Sequence, residues 1–347
     1  MADAVHRFTI GRFLVDDAPT VGLVVGDRVL PLPDPDVNAL LSVWDEVFSR
    51  LAGLAEQPGR GGWLPLAALR VLPPVQPRQI VQAGANYRTH VIDLAVKHAE
   101  IRPGMTPEQV RDEVTATMDR RAAEGEPYLF TGLPSAIAGP YDDVVLPGYS
   151  RQHDWELELA AVIGREAYRV DRAHALDHVV GYTIVNDVTT RDLVFRRDMP
   201  EIGTDWLRAK NAPGFLPTGP YLVPAAFIGD PSGLRITLRL NGEVMQDESC
   251  KDMLFDVAAL VAAASATVRL LPGDLLLTGS PAGNGLAHGR LLRAGDVMEG
   301  SITGPGTDLG TQRTRCVAED PVAEDPVADP SAVDGAVADG AVAGAGR

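Results

Sequence analysis

Short apolar runs bounded by glycine, proline and turn-forming pairs recur along this chain, and 3.6-residue periodicity is confined to a few stretches. Near the start, Arg7 to Val15 and Val21 to Val29 are strand-like, with Gly26-Asp27 as a turn inside the second run. Further strands are predicted at Tyr128 to Phe130, Val144 to Leu146, Trp155 to Ile163, Gly181 to Asn186, Tyr221 to Pro224, Leu234 to Leu240, Leu275 to Thr278 and Asp296 to Ile302. Asn241-Gly242 is a two-residue hairpin turn between two of these runs. Helices are predicted at Arg88 to Lys97, Pro107 to Glu124, Arg172 to Asp177, near Arg191, and Phe255 to Thr267. The second begins with a capping signal, Thr106-Pro107-Glu108-Gln109, and its charged sequence must mostly face water. Many strands with scattered helices predict a mostly β chain with helices (α+β), built as a mixed β-barrel or β-roll rather than a doubly wound α/β sheet.

The same pattern suggests boundaries. Residues 1–75 read as a small β-rich module, closed by the proline-rich Leu72 to Pro77. Residues 76–316 form the main body, with 94–126 as a helical insertion that serves as a lid or as a surface or dimer-contact helix. Residues 317–347 contain no aromatic, Leu or Ile and are strongly acidic, so they read as a disordered tail.

Composition narrows the function. The chain has 47 Asp and Glu against 31 Lys and Arg, a formal charge of −16, which gives no general attraction to nucleic acid or anionic lipid. Its two cysteines, Cys250 and Cys316, have no metal-type spacing and suit a reducing compartment. The N-terminus lacks a secretory pattern and no apolar run is long enough to span a bilayer, so a cytoplasmic protein is expected. No phosphate loop, dinucleotide fingerprint or nucleophile elbow is present.

Five segments carry candidate chemistry. In Asp154-Trp-Glu-Leu-Glu-Leu, a strand puts Glu156 and Glu158 on one face and Leu157 and Leu159 on the other. This is either the wet face of an amphipathic strand or a carboxylate pair bridged by a hard divalent cation. Asp187, after the apolar run ending at Asn186, is a candidate third ligand or ordinary turn chemistry. His90 and Asp93 share a helix face, as an oriented general base would, or as a surface pair would. Arg208 and Lys210 are candidates for a substrate carboxylate or plain surface charges. The loop Thr278-Gly-Ser-Pro-Ala-Gly283 could offer backbone N–H groups to an oxyanion.

In combination and in order, these segments resemble the fumarylacetoacetate hydrolase family. The matching motifs are Gly84-Ala-Asn-Tyr-Arg-Thr-His90, Asp154-Trp-Glu-Leu-Glu-Leu, Gly181-Tyr-Thr-Ile-Val-Asn-Asp-Val-Thr-Thr-Arg-Asp192, Trp206 to Lys210, Leu240-Asn-Gly-Glu243 with Gln246, and Thr278 to Gly283. The resemblance covers about Gln79 to Ile302. It implies a β-roll catalytic domain, a homodimer, a small 2-oxo or diketo acid as substrate, and Mg²⁺ or Mn²⁺, with Ca²⁺ as an option. It implies Glu156, Glu158 and Asp187 as metal ligands, and His90, Asp93 and Lys210 as catalytic residues. Tyr87, Arg191, Thr278 and Gly279 would contact substrate. The reaction implied is hydrolysis of a carbon–carbon bond. An isomerase, tautomerase or decarboxylase at the same site is the alternative, and a non-catalytic scaffold acting through its acidic tail is the third reading. Three departures stand out. Asp93 replaces the family's usual Glu, Gly132 stands where many relatives have Lys, and Lys210-Asn-Ala-Pro-Gly-Phe215 lacks polar pocket groups, which points to a larger or less polar substrate.

Overall fold

The computed structural model describes residues 7–34, 36–59, 61–97 and 104–320. Strands β1 (Thr9–Val15), β2 (Ala18–Val25), β3 (Arg28–Pro31), β4 (Leu64–Pro65) and β5 (Arg70–Leu72) make an antiparallel sheet in the order β4-β3-β2-β1-β5. The expected turn at Gly26-Asp27 joins β2 to β3. Between β3 and β4 lie two helices that the strand-rich reading did not anticipate, α1 (Val37–Ser42) and α2 (Trp44–Ala55). Asp36 caps α1 by accepting from the Ala39 N–H.

The chain continues through β6 (Ile80–Gly84), β7 (Tyr128–Gly132), β8 (Ile137–Ala138), β9 (Val144–Leu146), β10 (His153–Asp154), β11 (Leu157–Ile163), β12 (Val179–Asn186), β13 (Thr189–Thr190), β14 (Leu216–Pro217) and β15 (Val223–Pro224). It ends with β16 (Arg235–Leu240), β17 (Glu243–Ser249), β18 (Leu275–Leu277), β19 (Val297–Gly304) and β20 (Thr307–Ala318). A six-stranded sheet, β15-β12-β11-β18-β6-β7, packs against a five-stranded one, β17-β16-β19-β20-β9. Two short pairs, β10 with β13 and β8 with β14, complete the pairing. The mostly β, α+β class expected from the sequence is the class observed.

Helices α3 (Arg88–Lys97) and α4 (Pro107–Glu124) span the ranges expected, and α4 carries the full Thr106/Gln109 capping box. They pack on each other through Ile92, Val110, Val114 and Met118. Then come α5 (Trp206–Lys210), α6 (Val257–Thr267) and α7 (Gly285–His288). The helices expected at Arg172 to Asp177 and near Arg191 are single 3₁₀ turns, Ala175–His178 and Arg191–Leu193. The twelve-residue β20 was not expected; it carries Val317 and Ala318 beside Val145 and Leu146, two residues past the suggested start of the tail. Residues 321–347 of that tail lie outside the described residues. No helix among the described residues is long and apolar enough to cross a membrane.

Strand β11 explains how the site is positioned. Leu157, Leu159, Ala161 and Ile163 pack into the core shared with Ile236, Leu238, Met298 and Ile302. Ala160 and Val162 point the other way, into a second core with Ile10, Leu23, Leu40, Leu41 and Leu51. The N-terminal module therefore shares its core with the main body. Glu156 and Glu158 lie on the Ala160 side, where the second core gives way to a cavity. The two large sheets come so close that a Cβ on Gly300 would lie 2.4 Å from Leu157 Cδ1. Gly300→Val is therefore expected to push Leu157 off its rotamer and to cost about 1–3 kcal/mol, read as a lowered urea midpoint.

Candidate metal and catalytic site

The register of two motifs brings the acids together. The Glu156 N–H donates to Asn186 Oδ1 at 2.9 Å, and the Asp187 N–H donates to the Glu156 carbonyl at 2.9 Å. The Asn-Asp pair thus continues the β11–β12 ladder and sets Asp187 beside Glu156. Gln246, from the Asn-Gly hairpin, accepts from the Leu157 N–H and donates to Ser280 Oγ and the Pro281 carbonyl. It ties the carboxylate strand to the glycine-rich loop. In that loop Gly279 has φ +91 and its N–H donates to Glu158 Oε2 at 2.8 Å. Asn86 bonds the Thr278 and Phe255 backbones and anchors the entry to α3.

Glu156, Glu158 and Asp187 are all buried, and one oxygen from each lies within 4.8 Å of the others. The wet-face alternative for β11 does not hold. Burial and the neighbouring Asp187 raise the Glu158 carboxyl well above its usual range, and burial also raises Asp187. Glu156 differs: burial would raise it, but Arg191 and Lys210 outweigh that and hold it low. Lys210 Nζ, at the end of α5, lies 2.7 Å from Glu156, 2.5 Å from Asp187 and 2.7 Å from Thr189 Oγ1. Arg191 bridges Asp154 and Glu156, at 2.7 Å each. Asp154 also accepts from the N–H groups of Gly285 and Leu286, pinning α7 to the site.

Charge and donor chemistry test whether a metal fits. Four buried carboxyl groups, counting Asp154, face two cations, and burial raises Asp154, Glu158 and Asp187, so the site is short of positive charge. Asp187 Oδ1 is buried without a hydrogen-bond partner. An all-oxygen donor set short of positive charge, with a free lone pair, matches a hard divalent ion. The residues therefore fit a divalent metal, which Glu156, Glu158 and Asp187 could hold.

These groups border a cavity of about 470 Å³ that also takes in His90, Phe130, Trp206 and Ser280. Burial, ahead of the opposing influence of Glu156, lowers the His90 imidazole to about 4, so it is neutral near pH 7. A larger surface groove of about 570 Å³ lies at the start of α2. Of the charges that border it, Asp45, Arg165 and Glu166 are more than half exposed, with Arg165 paired to Asp45 and Glu166 to Arg269.

Six of the ten sequence-derived site residues meet at the cavity: His90, Glu156, Glu158, Asp187, Arg191 and Lys210. Four stand elsewhere. Asp93 pairs with Arg111 of α4 at 3.0 Å and is 43% exposed, so its carboxylate is held by Arg111 and makes no hydrogen bond to His90. Tyr87 is fully buried in the main core, with Oη 3.6 Å from Cys250 Sγ. Thr278 Oγ1 donates to the Leu159 carbonyl, and Gly279 acts on Glu158; both support the acids from behind. Arg208 is half exposed near Asp205. Asn211 caps α5 and receives the Leu133 N–H, so it is a structural group. Sequence reasoning gave no separate role to Asp154, Asn186 or Gln246. Their signal was a polar side chain embedded in an apolar strand context.

The chain matches the family model described as fumarylacetoacetate (FAA) hydrolase C-terminal over residues 79–317. It is 41% identical over 179 residues to a mitochondrial oxaloacetate tautomerase of Homo sapiens, covering 51% of this chain and 56% of that protein. It is 42% identical over 191 residues to the 2,4-didehydro-3-deoxy-L-rhamnonate hydrolase of a Sphingomonas species, covering 54% and 64%. These matches span little more than half of the relatives' own length. Among solved structures, a probable 2-hydroxyhepta-2,4-diene-1,7-dioate isomerase of Mycobacterium abscessus superposes with TM-score 0.69 at 29% identity, over 90% of this chain and 100% of that one.

Proposed function

The chain belongs to the fumarylacetoacetate hydrolase family, and from that premise we propose that this enzyme hydrolyses a carbon–carbon bond in a 1,3-diketo or 2-oxo acid, with a divalent metal. The observation that carries the reading is the buried trio Glu156, Glu158 and Asp187 beside a neutral, cavity-lining His90. Mg²⁺, Mn²⁺ or Ca²⁺ held there would supply Lewis-acid polarisation of adjacent substrate oxygens. Arg191 keeps Glu156 charged and oriented. Lys210 faces the negative charge that develops on the substrate. His90 takes a proton from water as its oxygen attacks the carbonyl remote from the carboxylate. The carbon–carbon bond then breaks: one fragment leaves as a carboxylic acid, and the other takes the bonding pair as an enolate and regains a proton. A homodimer working in the cytoplasm on a small acid, without nucleic-acid or membrane partners, belongs to the same reading.

One observation favours a second reading, keto–enol isomerisation of a 2-oxo acid. Asp93 is hydrogen-bonded by Arg111 and not to His90, and isomerisation needs only proton transfer at carbon and oxygen. Chromatography of products from an acylpyruvate separates the two. Hydrolysis gives pyruvate and one equivalent of the acyl acid. Faster keto–enol exchange with the substrate carbon skeleton intact would replace hydrolysis by isomerisation.

A further inference from the structure

The cavity has one charged end and otherwise apolar walls. Among the described residues its cations are Arg191 and Lys210. Both are already committed, Arg191 to Asp154 and Glu156, Lys210 to Glu156 and Asp187, and their side chains are only 12% and 4% exposed. With the trio's excess charge balanced by a divalent ion, the site accepts one substrate carboxylate at that end. A second carboxylate would meet no free cation among the described residues.

What it would meet is an aromatic wall that begins beside the ion-paired Lys210, whose Nζ lies 5.6 Å from the Trp206 ring centroid and 5.9 Å from that of Phe130. Phe130 of β7 stacks on Trp206 of α5, ring centroids 4.9 Å apart and planes 20° from parallel. The polar edge of Trp206 is used up, because its Nε1 donates to Tyr128 Oη at 2.8 Å. Val91, Val194 and Leu286 add aliphatic surface, and Phe195 at the cavity edge is 68% exposed. At position 132 no side chain projects from β7, and even a Cβ there would lie 2.8 Å from Gln82 Oε1. A desolvated carboxylate against such walls is strongly disfavoured, whereas a flat uncharged group gains contact and stacking.

We propose that the enzyme selects 2-oxo acids whose end remote from the carboxylate is uncharged and aromatic or apolar, and discriminates against the matching dicarboxylates. This rests on the reading that a 2-oxo acid binds at the trio. The test uses the full chain loaded with Mn²⁺ and two probes that lack a cleavable diketone, 2-oxo-4-phenylbutanoate and 2-oxoadipate, titrated by calorimetry. The phenyl acid binds about 100-fold more tightly. Phe195→Arg, at an exposed position that tolerates charge, narrows the ratio at least about tenfold by favouring the diacid. Equal or tighter binding of 2-oxoadipate to the unaltered enzyme overturns this selectivity and leaves the proposed reaction standing. An unmoved ratio in Phe195→Arg overturns the assignment of this wall to the remote end. Failure of both acids to bind while Mn²⁺ does overturns the 2-oxo acid reading itself, and the selectivity with it.

Discussion

Glu158→Gln uncouples stability from metal binding, raising the first while abolishing most of the second. The amide keeps the shape of the side chain and still accepts the Gly279 N–H. It removes one of two buried carboxyl groups that burial and neighbouring acids push towards protonation. The metal-free variant should therefore gain about 1–2 kcal/mol, because folding no longer has to protonate or desolvate a carboxylate at this position. The divalent ion loses a full negative ligand, and its affinity falls at least about 100-fold, near 3 kcal/mol at 1.4 kcal/mol per decade. Activity at ordinary metal concentrations falls at least as far. Denaturation with and without Mn²⁺ checks both signs together. A variant that loses stability without metal and keeps its affinity would show that Glu158 is a structural group.

His90→Ala separates chemistry from metal holding in the opposite sense. His90 lines the cavity but stands outside the acid trio, and it is neutral near pH 7 because burial lowers it to about 4. Removing it should leave Mn²⁺ affinity within about threefold and cut kcat by roughly 10²–10⁴, the range for loss of a general base. Asp93→Asn should cost far less, under about tenfold, since Asp93 bonds Arg111 and is half exposed. If Asp93→Asn matches His90→Ala in kcat, the two work as a dyad during turnover, and the ion pair with Arg111 is exchanged for it.

Much of this was legible because local rules and tertiary packing agree. The Thr106/Gln109 box, the Asn241-Gly242 turn and the alternation of Glu156 and Glu158 with Leu157 and Leu159 each state their geometry in a few residues. Strand β20 was hidden because its inward positions include Gln312 and Thr314 as well as Leu309 and Cys316, so apolar alternation is broken. Helices α1 and α2 do carry helical spacing, at Val37, Leu40, Leu41, Trp44, Val47, Phe48 and Leu51. Their strand-rich flanks masked it. The fate of Asp93 depends on Arg111, which arrives from α4 eighteen positions later. The burial of Tyr87 depends on Cys250 and Met253, far along the chain. Spacing within one segment holds no record of partners supplied by another.

The most direct measurement follows the ultraviolet band of an aroylpyruvate enol with chelator-stripped protein, before and after one equivalent of Mn²⁺ per chain. The buried trio predicts no catalysed loss of the band in the stripped protein, and rapid loss on adding Mn²⁺ with pyruvate accumulating. Equal rates of loss in the presence of chelator would contradict a reaction that depends on Glu156, Glu158 and Asp187 holding a metal.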